Sequence, residues 1–226
     1  NIGGVLFHKG SPEVQAQLTN RMQEASKVPL LVSLDGEWGL SMRLSGTTRF
    51  PKNMMLGAIE NDLLIRKYGE EVARQCKEMG IHINFAPDLD VNSNVDNPVI
   101  GIRSFGEDPA AVADKGIAYA SGLEEGGIMA VAKHFPGHGD TSDDSHETLP
   151  VIYHSRTRLD SVELFPFKQY IQKGFAGVMT AHLYIPALDK RKNLPSSLSE
   201  KVVKGLLQDE LGFQGLCFTD ALAMKG

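Results

Sequence analysis

Cysteine, basic charge and long apolar runs are all scarce in this chain. Its two cysteines, Cys76 and Cys217, match no metal-type spacing, and two buried thiols are favoured over a disulfide. The net charge is −5 with lysine and arginine scattered, which argues against a nucleic-acid partner. No apolar run reaches about 18 residues, so we expect no membrane insertion. A signal-peptide pattern is also lacking, but both a cytoplasmic and an exported protein fit this composition.

What is present is the composition of an ordinary globular protein. Hydrophobic residues make up 42% of the 226 residues and charged residues 23%, which is enough apolar material for a sizeable core. A chain of this length is one large domain or part of one, because single cores stop growing at roughly 250 to 300 residues. We find no repeat, low-complexity tract or linker, and therefore treat residues 1–226 as one domain.

Short apolar runs alternate along the chain with longer segments of helical periodicity. This alternation predicts an α/β fold in which helices cover a parallel sheet. Asp108 followed by Pro109 is typical of a helix start, and Gly126-Gly127 of a helix end. The predicted strands are 2–7, 29–34, 81–86, 128–132, 177–181 and 215–219, and the predicted helices are 12–26, 53–79, 109–125, 157–173 and 199–211.

Polar residues recur just after the predicted strands. In a parallel β/α fold these positions are the carboxyl ends of the strands, where sites are built. Five such ends converge, which favours a closed (β/α)8 TIM-type barrel over an open sheet. Six of its eight units are visible, so we expect a fragment that lacks the first and last strands. The polar residues are Asp35, Glu37, Asp88, Asp90, Lys133, His134, His182 and Asp220.

Residues 133–146 form the densest cluster of ionisable groups. The stretch reads Lys-His-Phe-Pro-Gly-His-Gly-Asp-Thr-Ser-Asp-Asp-Ser-His and directly follows a predicted buried strand. Its glycines, with Pro150 close behind, predict a loop. Histidines, aspartates and a lysine crowded beside a strand end indicate a site rather than a scaffold.

Together with Asp35-Gly36-Glu37, Arg103-Ser104-Phe105-Gly106 and Phe218-Thr219-Asp220-Ala221-Leu222, this stretch resembles glycoside hydrolase family 3. The likeness is strongest to the β-N-acetylglucosaminidase branch, covers nearly the whole chain and keeps the motif order of the family. It implies a (β/α)8-type barrel, in agreement with the alternation of strands and helices. It also implies retaining hydrolysis of a terminal β-linked N-acetylglucosamine, from a bacterial cell-wall fragment or a related glycan, through a covalent glycosyl-enzyme.

The resemblance assigns the chemistry to three residues. Asp220 matches the nucleophile, which must be an ionised carboxylate beneath the anomeric carbon. His146 matches the acid/base and Asp144 the carboxylate that orients it, a role that most retaining glycosidases give to a second carboxyl group. An imidazole with a pKa near about 6.5 can both donate and remove a proton near neutral pH. No cofactor or metal is implied, because nucleophile and acid/base are both side chains.

Sugar binding is implied for five further residues: Asp35, Arg43, Arg103, Lys133 and His134. Charged donors and acceptors suit a site that must hydrogen-bond several hydroxyl groups. Two other histidines have weaker assignments. His182 fits a structural histidine as well as a site residue, and His138 fits a brace for the loop.

Trp38 is a departure from the pattern of the branch. It stands in Asp35-Gly36-Glu37-Trp38-Gly39, where the branch often has a glycine. An indole there can reshape the pocket edge or stack on a sugar. The leaving-group preference is therefore less constrained by the resemblance than the chemistry.

Several other interpretations stay open at this point. A β-glucosidase-type enzyme of the same family is the nearest alternative, and Asp144-Ser145-His146 argues against it. A metal-dependent hydrolase is a different class, since His134, His138, Asp140, Asp144 and His146 offer ligand atoms. A catalytically silent sugar-binding protein is a third, although binding alone needs neither Asp220 nor His146. The expected partner is a carbohydrate substrate, and the pattern sets no oligomeric state.

Overall fold

The computed structural model describes residues 2–142 and 149–224, and it contains one six-stranded parallel sheet. The order of the strands in the sheet follows their order in the chain. All six predicted strands are confirmed in position. They are β1 Gly4–Phe7, β2 Leu31–Leu34, β3 Ile83–Asn84, β4 Met129–Phe135, β5 Gly177–Thr180 and β6 Leu216–Thr219.

Helices follow the strands along the chain and pack on one face of the sheet. α4 begins as predicted, because the Asp108 carboxylate accepts the Ala111 N–H at 2.8 Å and Pro109 occupies the first turn. No helix among the described residues is both long and apolar enough to cross a bilayer. The helices are α1 Pro12–Ala25, α2 Asn53–Gly57, α3 Asp62–Glu78, α4 Pro109–Glu125, α5 Arg156–Ser161, α6 Phe165–Gln172 and a π-helix Lys201–Glu210.

Two predicted helices, 53–79 and 157–173, are each divided into two in the structure. In the first, the Gly57 backbone lies so close to Phe105 that a Cβ would stand 1.8 Å from its carbonyl oxygen. The side chain of Asn61 then accepts the Leu63 N–H at 3.0 Å and starts α3. In the second, Pro166 lies in the first turn of α6 and cannot donate a backbone hydrogen bond. Both breaks keep a helical apolar pattern, which explains why periodicity missed them.

The sheet is strongly curled. The rings of Phe85, just after β3, and Phe218 in β6 lie 5.4 Å apart edge to face. Strands three positions apart in a flat sheet would be separated by about 14 Å. The concave side therefore encloses a small apolar cluster that includes Ile83, Val131 and Met179. This curl agrees with the predicted TIM-type α/β fold. The expectation that the chain is a fragment remains a prediction.

The main core lies between the convex face of the sheet and the helices. Side chains of alternating strand positions, such as Ala130 and Ala132 of β4, are fully buried there. α3 and α4 approach closely because glycines face each other. A Cβ on Gly69 would stand 2.4 Å from the Tyr119 carbonyl oxygen, and one on Gly122 would stand 2.1 Å from that of Arg66.

Gly122→Ala should therefore lower the free energy of unfolding by about 1–3 kcal/mol, because the added methyl forces two helix backbones apart. Gly205→Ala is the matched control, since its Cβ would meet only the Glu200 oxygen, at 3.9 Å. That control should leave stability unchanged or raise it by up to ~1 kcal/mol. Urea denaturation of the full-length protein measures both. Equal effects of the two changes would contradict close helix packing at Gly122.

Candidate active site at the carboxyl ends of the strands

A cavity of about 260 Å³ lies at the carboxyl ends of the strands. It brings together side chains that are far apart in the chain, from the ends of β2, β4 and β6 and from the loop after β3. Asp144 and His146, the predicted acid/base pair, lie outside the described residues. The other residues predicted as site residues all line the cavity: Asp35, Arg43, Arg103, Lys133, His134 and Asp220.

Lys133 and His134 belong to the strand itself. The prediction ended this strand at residue 132, whereas β4 continues to Phe135. The pairing register between β4 and β5 shifts between Ala132 and Phe135. Such an irregularity redirects side chains that would otherwise alternate between the two faces of a sheet. Lys133 and His134 consequently both line the same cavity.

Asp35 joins two cations at the cavity wall. Its Oδ2 accepts a hydrogen bond from Arg43 Nη2 at 2.7 Å, and its Oδ1 accepts one from Lys133 Nζ at 3.0 Å. Burial alone would raise the pKa of Asp35, but Lys133 and Arg43 hold it below its ordinary value. The Arg43 and Asp35 side chains retain 19% and 17% exposure. Both therefore remain within reach of a molecule in the cavity.

Glu37 is the buried centre of the charge network. Arg103 donates two hydrogen bonds to it, Nη2 to Oε1 at 2.7 Å and Nε to Oε2 at 3.0 Å. Lys133 Nζ lies 2.8 Å from Oε1. Burial opposes ionisation of Glu37, yet the two cations outweigh it and put its pKa far below the ordinary value. Burial would likewise lower the pKa of Lys133, and Glu37 with Asp35 raises it instead.

His134 is oriented by two charged neighbours. Its Nδ1 lies 2.6 Å from Asp90 Oδ2, and Arg103 Nη2 lies 3.2 Å from its Nε2. A guanidinium group can only donate, so Nε2 must present a lone pair and Nδ1 must carry the proton. Asp90 and Arg103 therefore select one tautomer and one ring orientation for His134.

Asp90 also anchors the loop that follows β4. Besides the His134 ring, it accepts the backbone N–H of His138 at 2.6 Å. Burial opposes its ionisation, but these partners hold the pKa of Asp90 below its ordinary value. Asp88 differs, because burial and the nearby Asp90 charge raise its pKa well above the ordinary range. Its Oδ2 accepts no hydrogen bond from the residues that the structure describes.

His138 is a buried neutral histidine. Burial lowers its pKa to about 4. Its Nδ1 lies 2.8 Å from the Thr141 hydroxyl oxygen, and its carbonyl accepts a hydrogen bond from Asn97 Nδ2 at 2.8 Å. These contacts fit the predicted brace for the loop.

Asp220 directly follows β6 and is held by its backbone. Its N–H donates to the Thr180 carbonyl at 2.9 Å, and its Oδ1 accepts the Ala221 N–H at 2.7 Å. His182 supports this turn, since its Nε2 lies 3.2 Å from the Ala221 carbonyl oxygen and its Nδ1 lies 2.6 Å from Ser197 Oγ. His182 thus has a structural place behind Asp220 and does not line the cavity.

Trp38 stands outside the cavity wall. Lys52 Nζ lies 4.8 Å from the centroid of its ring, which makes a cation–π contact. It borders a neighbouring groove together with Met42, and Met42 also lines the central cavity. The indole therefore lies next to the cavity edge, separated from it by Met42.

Asp88, Asp90 and His134 could in principle hold a metal ion, because their ligand atoms lie within 4.8 Å of one another. The charges of the site fit a cation poorly. Arg103 Nη2 is 3.8 Å from Asp88 Oδ2 and also contacts His134. Asp90 already accepts the His134 ring and backbone N–H groups. Asp90 is therefore already satisfied by protein donors, and Asp88 already has a positive charge beside it.

Sequence reasoning assigned no site role to Glu37 or Asp90. Both were recognised as polar residues after strands, and both are fully buried in the site. The available signal was the placement of an acid two positions beyond another acid in both loops, Asp35 with Glu37 and Asp88 with Asp90. Only the structure shows that Glu37 binds Arg103 and Lys133 and that Asp90 binds His134.

A curled parallel sheet with a polar cavity at the carboxyl ends of its strands defines a TIM-type β/α protein whose site suits a hydroxyl-rich ligand. The family model of the glycosyl hydrolase family 3 N-terminal domain matches residues 1–226. The chain therefore belongs to glycoside hydrolase family 3.

Individual relatives agree with this membership. A beta-hexosaminidase A of Pseudoalteromonas piscicida is 38% identical over all of this chain and 42% of its own length. A solved family 3 beta-N-acetylglucosaminidase of Paenibacillus sp. str. FPU-7 is 43% identical, with TM-score 0.93 over 99% of this chain and 44% of that one. The beta-glucoside phosphorylase BglX is 27% identical, with TM-score 0.94 over 98% of this chain and 42% of that one. The chain thus spans less than half of each of these relatives.

Replacing Glu37 by glutamine should lower the free energy of unfolding at neutral pH by about 3–5 kcal/mol, because Arg103 and Lys133 lose a buried counter-charge. The ionised Glu37 contributes stability above its unfolded pKa of about 4.3, and this contribution is lost as pH falls towards the lower folded pKa. The difference between wild type and Glu37→Gln should therefore shrink below pH of about 4.3.

Urea denaturation across this pH range measures the effect. Glu71→Gln is the matched control, because Glu71 is also paired with an arginine but its side chain is 39% exposed. It should cost at most ~1 kcal/mol. A loss at Glu37 no larger than that at Glu71 would contradict the central role of the buried carboxylate.

Proposed function

We propose that this chain carries the catalytic site of a retaining exo-β-N-acetylglucosaminidase. Asp220 acts as nucleophile, His146 as acid/base and Asp144 as the carboxylate that orients His146. The terminal sugar is held by Asp35, Arg43, Arg103, Lys133 and His134. The proposal rests on membership of family 3, on the names of the relatives and on the composition of the cavity.

One observation carries the proposal further than the others. Asp220 lines the same cavity as the network of Asp35, Lys133 and Arg103. The cavity measures about 260 Å³, below the about 300 Å³ at which pockets for drug-sized ligands begin. Such a volume suits one sugar ring. A nucleophilic carboxylate on one wall and hydroxyl-binding charges on the others match removal of a single terminal residue.

The first chemical step forms the glycosyl-enzyme. The Ala221 N–H occupies Oδ1 of Asp220, which leaves Oδ2 to attack the anomeric carbon. As the new carbon–oxygen bond forms, the bond from that carbon to the leaving oxygen breaks, and His146 donates its proton to that oxygen. Asp144 stabilises the imidazolium before transfer and fixes the ring tautomer.

The second step releases the sugar. A water molecule gives a proton to His146 and attacks the anomeric carbon, and the bond to Asp220 breaks. Two inversions leave the β configuration unchanged. Asp220 and His146 return to their starting protonation states, so that no external proton, electron or cofactor is consumed.

Hydroxyl recognition follows from the paired charges. Asp35 and Arg43 are bonded to each other while each keeps exposed surface, so both can hydrogen-bond one sugar hydroxyl group without leaving a charge unpaired. Lys133 supplies a further donor from the side of β4. A ligand without those hydroxyl groups leaves these polar groups unmatched in a partly enclosed site, which weakens its binding strongly.

A second candidate function, that of a phosphorylase, differs from the hydrolase in the acceptor of the second step. A relative of the same fold is named a beta-glucoside phosphorylase, and inorganic phosphate can take the place of water at a glycosyl-enzyme. In that case the product is the sugar 1-phosphate. The cations at the cavity, Arg43, Arg103 and Lys133, are all paired with carboxylates, which favours a neutral acceptor such as water.

We predict that an aryl β-N-acetylglucosaminide is hydrolysed at least about tenfold faster than the aryl β-glucoside. This ratio corresponds to a difference of about 1.4 kcal/mol in activation free energy. Release of the aryl group by the full-length protein, with the sugar product identified with and without phosphate, measures this. Free sugar in both conditions supports the hydrolase. Sugar 1-phosphate supports the phosphorylase, and preference for the glucoside supports the β-glucosidase alternative.

Asp220→Ala should reduce hydrolysis of the aryl N-acetylglucosaminide by a factor of about 10⁴ or more, because the covalent path is lost. Azide should restore release of the aryl group by entering the space of the carboxylate. The product should be the α-glycosyl azide, formed by a single inversion. Asp189→Asn, a change of a carboxylate that pairs with Arg191 away from the cavity, is the control. A β-azide, or retained activity without azide, would show that another group is the nucleophile.

A further inference from the structure

Asp140 and His154 are described residues that lie before and after the segment that carries Asp144 and His146, and their side chains are in contact. His154 Nε2 lies 2.5 Å from Asp140 Oδ2. The second carboxylate oxygen, Oδ1, accepts the Ser93 hydroxyl at 3.2 Å. Nothing in the proposed chemistry uses this histidine and aspartate, so their contact requires its own explanation.

The upstream end of the segment is attached to the loop after β3. Asn97 Nδ2 donates to the His138 carbonyl at 2.8 Å, and Asn94 Nδ2 lies 3.3 Å from the Thr141 carbonyl oxygen. Gly139 presses against the same loop, since a Cβ there would stand 1.7 Å from the Val91 carbonyl oxygen. This end is therefore held by backbone and amide contacts up to residue 141.

The downstream end is attached to a different part of the rim. The Ile152 N–H donates to the Tyr184 carbonyl at 3.0 Å, and the Tyr184 N–H donates to the Pro150 carbonyl at 2.9 Å. Tyr184 follows β5, whereas the upstream contacts come from the loop after β3. Within the described residues, the Asp140–His154 bond joins the two ends directly.

The strength of the contact does not explain its position. The two side chains are 26% and 33% exposed, and partly exposed ion pairs usually contribute little to stability. The position itself is informative, because a bond between the ends of a segment reduces the conformations open to everything between them. The neighbouring acid Glu163 is already paired with Arg158 at 2.8 Å, which leaves Asp140 as the partner of His154.

We infer that Asp140 and His154 form a positioning pair for the proposed acid/base. By joining the ends of residues 140–154, the pair restricts where the segment can place the His146 imidazole relative to the leaving oxygen. This inference rests on the proposed function for its catalytic consequence. Its mechanical part, the restraint of the two ends, stands on the contacts alone.

A positioning role predicts a specific kinetic signature. A leaving group that needs protonation should suffer from a misplaced acid, while a strongly activated aryl leaving group should not. For Asp140→Ala and for His154→Ala we expect kcat/KM to fall roughly tenfold with an unactivated leaving group, and less than about twofold with the most activated aryl group. This loss is a part of the about 10²–10⁴-fold contribution of a general acid. His146→Ala should show the same trend more steeply.

The double variant Asp140→Ala/His154→Ala tests whether the two residues act together. If they act as a pair, the double variant should lose no more than either single variant. His154→Gln should recover part of the loss, because its amide can still donate to Asp140. Asp160→Ala is the matched control, since Asp160 is a similarly exposed carboxylate that pairs with Arg156 of α5 and Lys168 of α6. It should leave both kcat/KM values unchanged.

Amide hydrogen exchange of the full-length protein supplies a readout that is independent of activity. In His154→Ala, exchange should accelerate at the amides of Ile152 and Tyr184 and stay unchanged in the core of β4. Unchanged exchange would overturn the restraint. Equal kinetic losses with all leaving groups, or none, would overturn the positioning role. If the wild-type protein cleaves no N-acetylglucosaminide, the proposed function and the catalytic role fail together, and exchange alone decides the restraint.

Discussion

The rest of the site depends on the ionised Glu37 carboxylate, buried between Arg103 and Lys133. An isolated charge in that position would be strongly unfavourable, and each of the three is tolerated because the others neutralise it. Lys133 then extends the network to Asp35, and Arg103 extends it to His134. The side chains at the cavity are therefore held in one arrangement before any ligand enters. Preorganisation of this kind lowers the cost of ordering a binding site.

The architecture of the sheet brings these groups together. Parallel strands place all their carboxyl ends on one rim, and the curl seen between Phe85 and Phe218 brings distant strands towards one another. The rim therefore gathers Asp35, Lys133 and Asp220 although 185 positions separate the first from the last, as the numbering shows. The small apolar cluster of Ile83, Phe85, Val131 and Met179 lies on the concave side of the sheet.

The two flanks of the cavity are stabilised differently. Around Glu37 the bonds are charged, short and buried, which suits residues that must stay fixed. Around Asp220 they involve backbone groups and His182, and among the described residues only Oδ1 of its carboxylate accepts a hydrogen bond. A third contact, between Asp140 and His154, is partly exposed.

Local signals in the sequence determined the α/β class, the positions of all six strands and the start of α4, because apolar runs, glycines and capping residues act over a few neighbours. The motifs also indicated six of the residues that line the cavity. The tertiary structure alone decided the break at Gly57, where the distant Phe105 backbone interrupts a helical pattern. The break before Pro166 follows instead from a local cause, the missing backbone donor of proline. The tertiary structure alone revealed the partners of Glu37, Asp90 and Asp140. Pairing between polar groups that are distant in the chain depends on how the sheet curls, and no local sequence pattern encodes the curl.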